Sequence, residues 1–247
     1  MCKLRYALLA ILAYAVFLLA TAPARVVLPY LTQRLPPMVA VTAVHGTIWG
    51  GRVDLVLTTA TGREALSRVR FTFMASPLFR GRIGYALRLT GPVHGHMQTA
   101  FASQVQEFSD VALSVPAGVL ASLIPAAQDF GPGGKLTLHA RSLVWGPHPA
   151  GRGTLTWRDA ALVSAPVNPL GTYDARFVLA APGVVYRIQT LTGVLVVQGR
   201  GRYGFADGAL SFTGDVRGHG LRLGGLVQSI GVPDAHGGRR VDFHMTF

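Results

Sequence analysis

The sequence predicts a mainly β protein: an antiparallel, glycine-turn-rich sheet, or a two-layer or groove-like β domain, placed after a single N-terminal transmembrane helix. Three observations carry that expectation. Apolar and polar residues alternate in short runs through most of the chain, the period of strands that bury one face. Glycines break those runs at short intervals, which suits strands joined by tight turns better than βαβ units. The chain also opens on basic residues followed by an uncharged apolar stretch.

The elements follow in order. Residues 1–5 hold Lys3, Arg5 and the terminal amine, and residues 6–22, from Tyr6 to Ala22, carry no charge. As a helix rising ~1.5 Å per residue, that run covers roughly 25 Å, slightly less than a ~30 Å hydrocarbon core. Tyr6, Leu9, Leu12, Phe17 and Leu19 are the side chains expected to anchor it in lipid. The basic residues crowd ahead of the span, which predicts a cytoplasmic N-terminus and an exported body. Arg25 and Arg34, just beyond the span, weaken that asymmetry. Ala20-Thr21-Ala22 also fits a signal-peptide cleavage site, but cutting there leaves Pro23 as the first mature residue, so an uncleaved anchor is favoured. Residues 23–37 contain Pro29, Pro36 and Pro37; proline cuts a helix short, and the segment reads as a juxtamembrane linker. Residues 38–247 form the exported domain.

Within that domain the stretch Val44 to Gly51, "VHGTIWGG", reads as the end of the first strand and a glycine turn, with Trp49 capping the sheet near the stalk. Alternation then places Val53, Leu55 and Leu57, Phe71 and Phe73, Tyr85, Leu87 and Leu89, Leu136 and Leu138, Tyr186 and Ile188, and Leu210 and Phe212 on strands. Gly62, Gly81, Gly91, Gly118, Gly134, Gly151, Gly171, Gly183, Gly193, Gly208 and Gly214 are read as punctuation between them. Two stretches depart from the pattern: Pro116 to Phe130, with room for one or two helical turns before Pro125, and Gly225 to Gly231. Gly46 to Trp49 and Gly153 to Trp157 resemble each other, and each precedes a Pro-Leu pair, a hint of two stacked β layers.

At 247 residues, 50% hydrophobic and 14% charged, the chain can bury a real core. Its charge of +12 would ordinarily suggest an anionic partner. Lys3 and Lys135 are the only lysines, however, and the arginines are scattered without a basic run, so no nucleic-acid arm is present. Cys2 is the single cysteine, which excludes an internal disulfide.

Motifs for catalysis or cofactors fail their context tests. Gly199 to Gly204, "GRGRYG", fits a dinucleotide fingerprint, but another strand pattern follows where phosphate binding needs a helix N-terminus; it reads as a hairpin corner. His94 and His96 share a strand face without further ligands nearby. Asp215, Arg217 and His219 alternate likewise, as do Asp242 and His244, and read as surface salt links. With no nucleophile motif and no paired carboxylates, no enzyme class, catalytic residue, metal or cofactor is expected. Trp49, Trp145 and Trp157 sit beside turn residues and are expected to cover the rim of the core.

A basic N-terminus, one apolar span, "ATAPARVVLPYL", "VHGTIWGGRVDL", "PLFRGRIGYALRLTGP", the strand holding Trp157, and "PLGTYDARFVLA" follow one another in an order that resembles type II secretion system protein N, also called general secretion pathway protein N. The resemblance runs over nearly the whole chain. It implies a bitopic inner-membrane protein with a periplasmic β domain, acting as an accessory, non-catalytic part of the machine that passes folded proteins through an outer-membrane secretin. Its partners would be the inner-membrane platform or the secretin, with inner-membrane lipid around the anchor. The region around Trp49 is also similar to bacterial proteins whose long β grooves hold lipid, so a lipid ligand is a second expectation. A third is an outer-membrane barrel, because Val241 to Phe247 alternates and ends on Phe.

Overall fold

Alternating strands joined by short turns leave the chain little choice but to pair each strand with its sequence neighbour. The computed structural model describes residues 11, 13–14, 17–18, 20–27, 38–59, 62–123, 129–218, 232–233 and 238–246. Its strands are β1 (Val39–Thr47), β2 (Gly50–Thr59), β3 (Gly62–Met74), β4 (Ile83–Thr90), β5 (His94–Ala102), β6 (Val105–Pro116), β7 (Pro132–Trp145), β8 (Ala150–Leu162), β9 (Gly171–Ala180), β10 (Gly183–Gly193), β11 (Leu195–Gly204), β12 (Ala209–Gly218), β13 (Val232–Pro233) and β14 (Arg239–Thr246). They form one antiparallel 14-stranded sheet in sequence order, except that β14 lies between β12 and β13. A 3₁₀ turn at Ser76–Arg80 joins β3 to β4, and a short helix, α1 (Ala117–Leu123), follows β6. The expected helical turn after Pro116 is therefore present. The one expected over Gly225 to Gly231 lies outside the described residues.

The two-layer alternative is not what forms. Every connection up to β12 returns the chain to the strand just left, so no strand crosses to a second layer. The consequence shows in surface area. The chain exposes 16091 Å², where a compact monomer of 26.2 kDa would expose roughly 10,600 Å².

Cross-strand partners share a face, so the register sorts the sheet into two. Phe71, Leu87 and Met97 lie in one row, and Leu113, Leu138, Leu155, Ala175 and Ile188 in another. On the opposite face, Arg52, Arg70, Arg88 and His96 stand directly opposite one another across four strands, and Arg176, Arg187 and Arg200 across three. The sheet curls toward the apolar face. Trp145, at the end of β7, packs edge-on against Phe205, just after β11, with ring centroids 5.4 Å apart. On a flat sheet those strands would be about 19 Å apart. The apolar face is thus the concave one and the arginine face the outer one. An outer-membrane barrel needs the reverse, an apolar wall facing lipid, and no ladder joins β1 to β13 or β14 among the described residues.

Glycine plays two roles here, only one of them the expected punctuation. In the Ile48-Trp49 turn between β1 and β2, Gly46 has φ of 101°, and a Cβ there would lie 2.4 Å from the Gly50 carbonyl oxygen; only glycine fits. Gly134, Gly151 and Gly214 instead lie inside strands. "GRGRYG" likewise fills the second half of β11 and is not a hairpin corner. The reason is packing: a Cβ on Gly199 would come within 2.5 Å of the Phe212 ring, and one on Gly201 within 2.3 Å of the Tyr186 ring. Missing side chains make room for aromatic rings lying flat on the concave face.

Candidate functional site: the concave face and its open rim

An antiparallel meander puts its turns on two opposite rims. The near rim carries the β1–β2, β3–β4, β5–β6, β7–β8, β9–β10 and β11–β12 turns and the end of β14. The far rim carries the remaining turns and α1.

The far rim closes the concave face. After β8 the chain folds back, held by Asn168, whose side chain accepts a hydrogen bond from the Leu162 N–H and donates one to the Leu162 carbonyl. This turns Leu170 inward. The Leu170 N–H bonds the Ala160 carbonyl at 2.7 Å, and its own carbonyl accepts from Val194 and Leu195. Leu170, Leu195 and Val216 form a buried cluster, with Leu162, Ala165, Val194, Val197 and Val241 packed around it. Tyr173 reaches across β10 and donates its hydroxyl proton to the Leu195 carbonyl at 2.9 Å. Burial pushes that phenol up to about 12, since a phenolate there would lose its water.

Toward the near rim the concave face stays partly open. Trp49 meets Phe73 at 4.8 Å, and Phe73 and Phe71 both pack on Tyr85. These rings are half-buried, and among the described residues no second layer covers them. At the rim itself Leu78, Phe79, Ile83, Phe101, Trp145 and Met245 are exposed, Phe79 at 92%. The N-terminal segment ends on this same rim: Ile48 N–H donates to the Ala22 carbonyl at 2.9 Å, and Pro23 bridges to Thr47. Among the anchor residues named from the sequence, only Phe17 is described; it is helical and 62% exposed, like its neighbours Ile11, Tyr14 and Leu18. Tyr6, Leu9, Leu12 and Leu19, and the linker at 28–37, lie outside the described residues. Among the described residues no helix is long and apolar enough to cross a membrane.

The three tryptophans have different settings. Trp49 sits in the β1–β2 turn and Trp145 ends β7 at 55% exposure, whereas Trp157 stands inside β8, donates its indole N–H to the Gly133 carbonyl at 2.9 Å and packs on Tyr173. The residues singled out for chemistry stay apart. His94 turns to the Pro92 carbonyl, and His96 lies 3.6 Å from Asp110. Asp242 accepts from the Thr213 hydroxyl, and His219 lies outside the described residues. A shallow cavity of about 510 Å³ lies beside Arg70, Arg88 and His96. The sequence reading missed Phe79 and Leu170; an apolar pair inside "SPLFRG" and a leucine after two prolines in "PVNPLG" were the only signals.

A single-layer sheet with one apolar concave face has the geometry of a scaffold or groove. The family model of type II secretion system (T2SS), protein N, matches residues 37–242, nearly the whole sheet. The chain belongs to that family. No curated protein and no solved structure matches it. Protein N membership makes the β sheet described above part of a type II secretion component, and other components of that system its expected company.

Proposed function

We propose that this protein N is an accessory, non-catalytic component of type II secretion, held in the bacterial inner membrane by Tyr6 to Ala22 with its sheet in the periplasm. The observation that supports the anchor is the described part of that helix. Its large apolar side chains point to solvent, where a helix of a soluble protein would pack them on the sheet. Contact with other secretion components suits the edges of the sheet. Among the described residues, the outward edge of β14 meets only Val232 and Pro233, and the far side of β1 carries no paired strand beyond the bridge to Pro23 and the short Ala24–Val27 turn beside it. Unpaired edge amides accept an added strand.

The test is a deletion strain complemented with the full chain or with a chain lacking residues 6–22. The full chain is expected to resist alkaline carbonate extraction and to restore secretion and secretin assembly. Unchanged secretion in the deletion strain under every condition would remove the proposal.

A second reading is favoured by one observation, the concave apolar face without a covering layer. That face suits an acyl chain lying on Phe71, Phe73, Tyr85 and their neighbours. Mass spectrometry of the purified full chain should then recover lipid in stoichiometric amount, and a lipid-free preparation would exclude it.

A further inference from the structure

We propose that the near rim rests on the surface of the same membrane that holds the N-terminal helix, with Phe79 dipping into the boundary between headgroups and acyl chains. This rests on the reading of residues 6–22 as an anchor. The tether comes first. Because Ala22 and Pro23 are bonded to Ile48 and Thr47, the point where the helix ends is itself part of the rim, so the rim begins at headgroup depth. The described helix side chains do not pack on the sheet, so the helix leaves the rim instead of lying back along it.

The Ser76–Arg80 turn is the next connection along that rim. It begins at the end of β3, three strand spacings or about 14 Å along the rim from Pro23. The turn is firmly built: Gly81 N–H bonds the Leu78 carbonyl at 2.8 Å, Arg82 N–H bonds the Pro77 carbonyl at 3.0 Å, and the Arg82 guanidinium is held by Glu107. Pro77 rests on the bare backbone of Gly84, where a Cβ would meet its ring at 2.5 Å. A turn fixed in this way holds Leu78 and Phe79 outward, at 49% and 92% exposure. Leaving a phenylalanine in water forgoes the gain of burying its ring. The same line continues through Ile83, Phe101, Trp145 and Met245, and tryptophan favours the membrane interface.

Charge agrees with lipid. Arg80 adjoins Phe79, and Arg52, Arg152 and Arg202 lie on the outer face close behind the rim, all exposed. The acidic groups nearby are engaged, Glu107 with Arg82 and Asp207 with the Ala209 N–H. A basic rim with apolar tips matches an anionic bilayer surface.

The test uses the full chain with Cys2→Ser, carrying either Phe79→Cys or the far-rim Val163→Cys, each spin-labelled and reconstituted in phosphatidylethanolamine–phosphatidylglycerol vesicles. Collision with oxygen reports lipid, and collision with a nickel chelate reports water. The label at 79 is expected to lose nickel collisions several-fold relative to the label at 163. A label at 79 as wet as that at 163, in protein that resists carbonate, overturns the rim contact and leaves the anchor standing. If carbonate strips the protein, the anchor reading fails; the rim contact then survives only if the stripped chain rebinds anionic vesicles with residue 79 in lipid, and otherwise falls too. A label protected in native membranes but wet in vesicles means that a protein covers the rim, which also overturns the proposal.

Discussion

At the far rim the chain between β8 and β9 folds back over the strand ends, and Leu170, Leu195 and Val216 are buried to 2%, 9% and 6% exposure. At the near rim the turns are tight, and Phe79, Trp145 and Ile83 stay in the open at 92%, 55% and 52%. Both rims end the same strands with the same alternation, so the strands do not set the difference. The connections do. Residues 163–170 and α1 supply enough chain to cover the sheet, while a turn such as Ile48-Trp49 has none to spare. The separation is not absolute, since Phe130, Val163, Leu191 and Val232 are exposed apolar groups on the far side. Nevertheless the buried cluster is at one end and the segment bonded through Ala22 and Pro23 at the other, which, on the proposed anchor, divides stability from contact.

If that division holds, mutations at the far rim should unfold the sheet without touching membrane contact. Leu170→Ala removes the centre of the buried cluster and is expected to cost about 2–5 kcal/mol, read as a fall in the denaturant midpoint, with lipid accessibility at residue 79 unchanged in the folded fraction. A loss below about 0.5 kcal/mol would mean that the cluster does not close the sheet. Gly46→Ala tests the near-rim counterpart. A positive φ and a carbonyl 2.4 Å from the new Cβ predict a loss of about 1–3 kcal/mol, smaller because the damage is confined to one turn at the sheet's edge. Limited proteolysis should then cut near residues 44–51 before the rest of the domain.

Tyr173 gives the far rim a pH signature. Its phenol is raised from the ordinary value of 10.0 to about 12 by burial. Stability from the protonated phenol is therefore complete below about pH 10, and is lost as pH climbs through about 12. Tyr85 and Tyr186 are pushed the same way by burial, so the slope belongs to all three. Tyr173→Phe should cost about 1 kcal/mol at neutral pH, through the hydrogen bond lost at Leu195, and should flatten the alkaline fall in stability. An unchanged slope would show that Tyr173 ionises in water like an exposed phenol.

How far the sequence already showed this depends on the kind of interaction. Strands were legible because alternation is local: Val53 to Leu57, Tyr85 to Leu89 and Leu210 to Phe212 all lie where the period puts them. The choice between one sheet and two layers was not, because stacking depends on where connections return, and the faint likeness of Gly46–Trp49 to Gly153–Trp157 pointed to two layers. Glycines misled for a related reason. Gly199 and Gly201 look like turn residues in one dimension, yet they clear space for Phe212 and Tyr186, which arrive from neighbouring strands. The arginines were visible in the sequence, but Arg52, Arg70 and Arg88, each 18 residues from the next, become one row only when the register is known. Phe79 shows the same limit, since an apolar residue in a turn reads as core until the turn is seen to point outward.

Phe79 supplies the sharpest contrast with Leu170, because the two are apolar residues in connections of the same sheet with opposite surroundings. The Phe79 ring touches little, so Phe79→Ser should change stability by no more than about 0.5 kcal/mol, while the carbonyl and amide bonds of the Ser76–Arg80 turn remain. What it removes is the apolar tip offered to lipid. Combined with Arg80→Glu, which adds repulsion from anionic headgroups, it should leave the thermal midpoint near that of the parent and make the sheet more open to added protease in vesicles. A stability loss on the scale of Leu170→Ala would instead place Phe79 in a packed contact, and the two rims would no longer divide folding from contact.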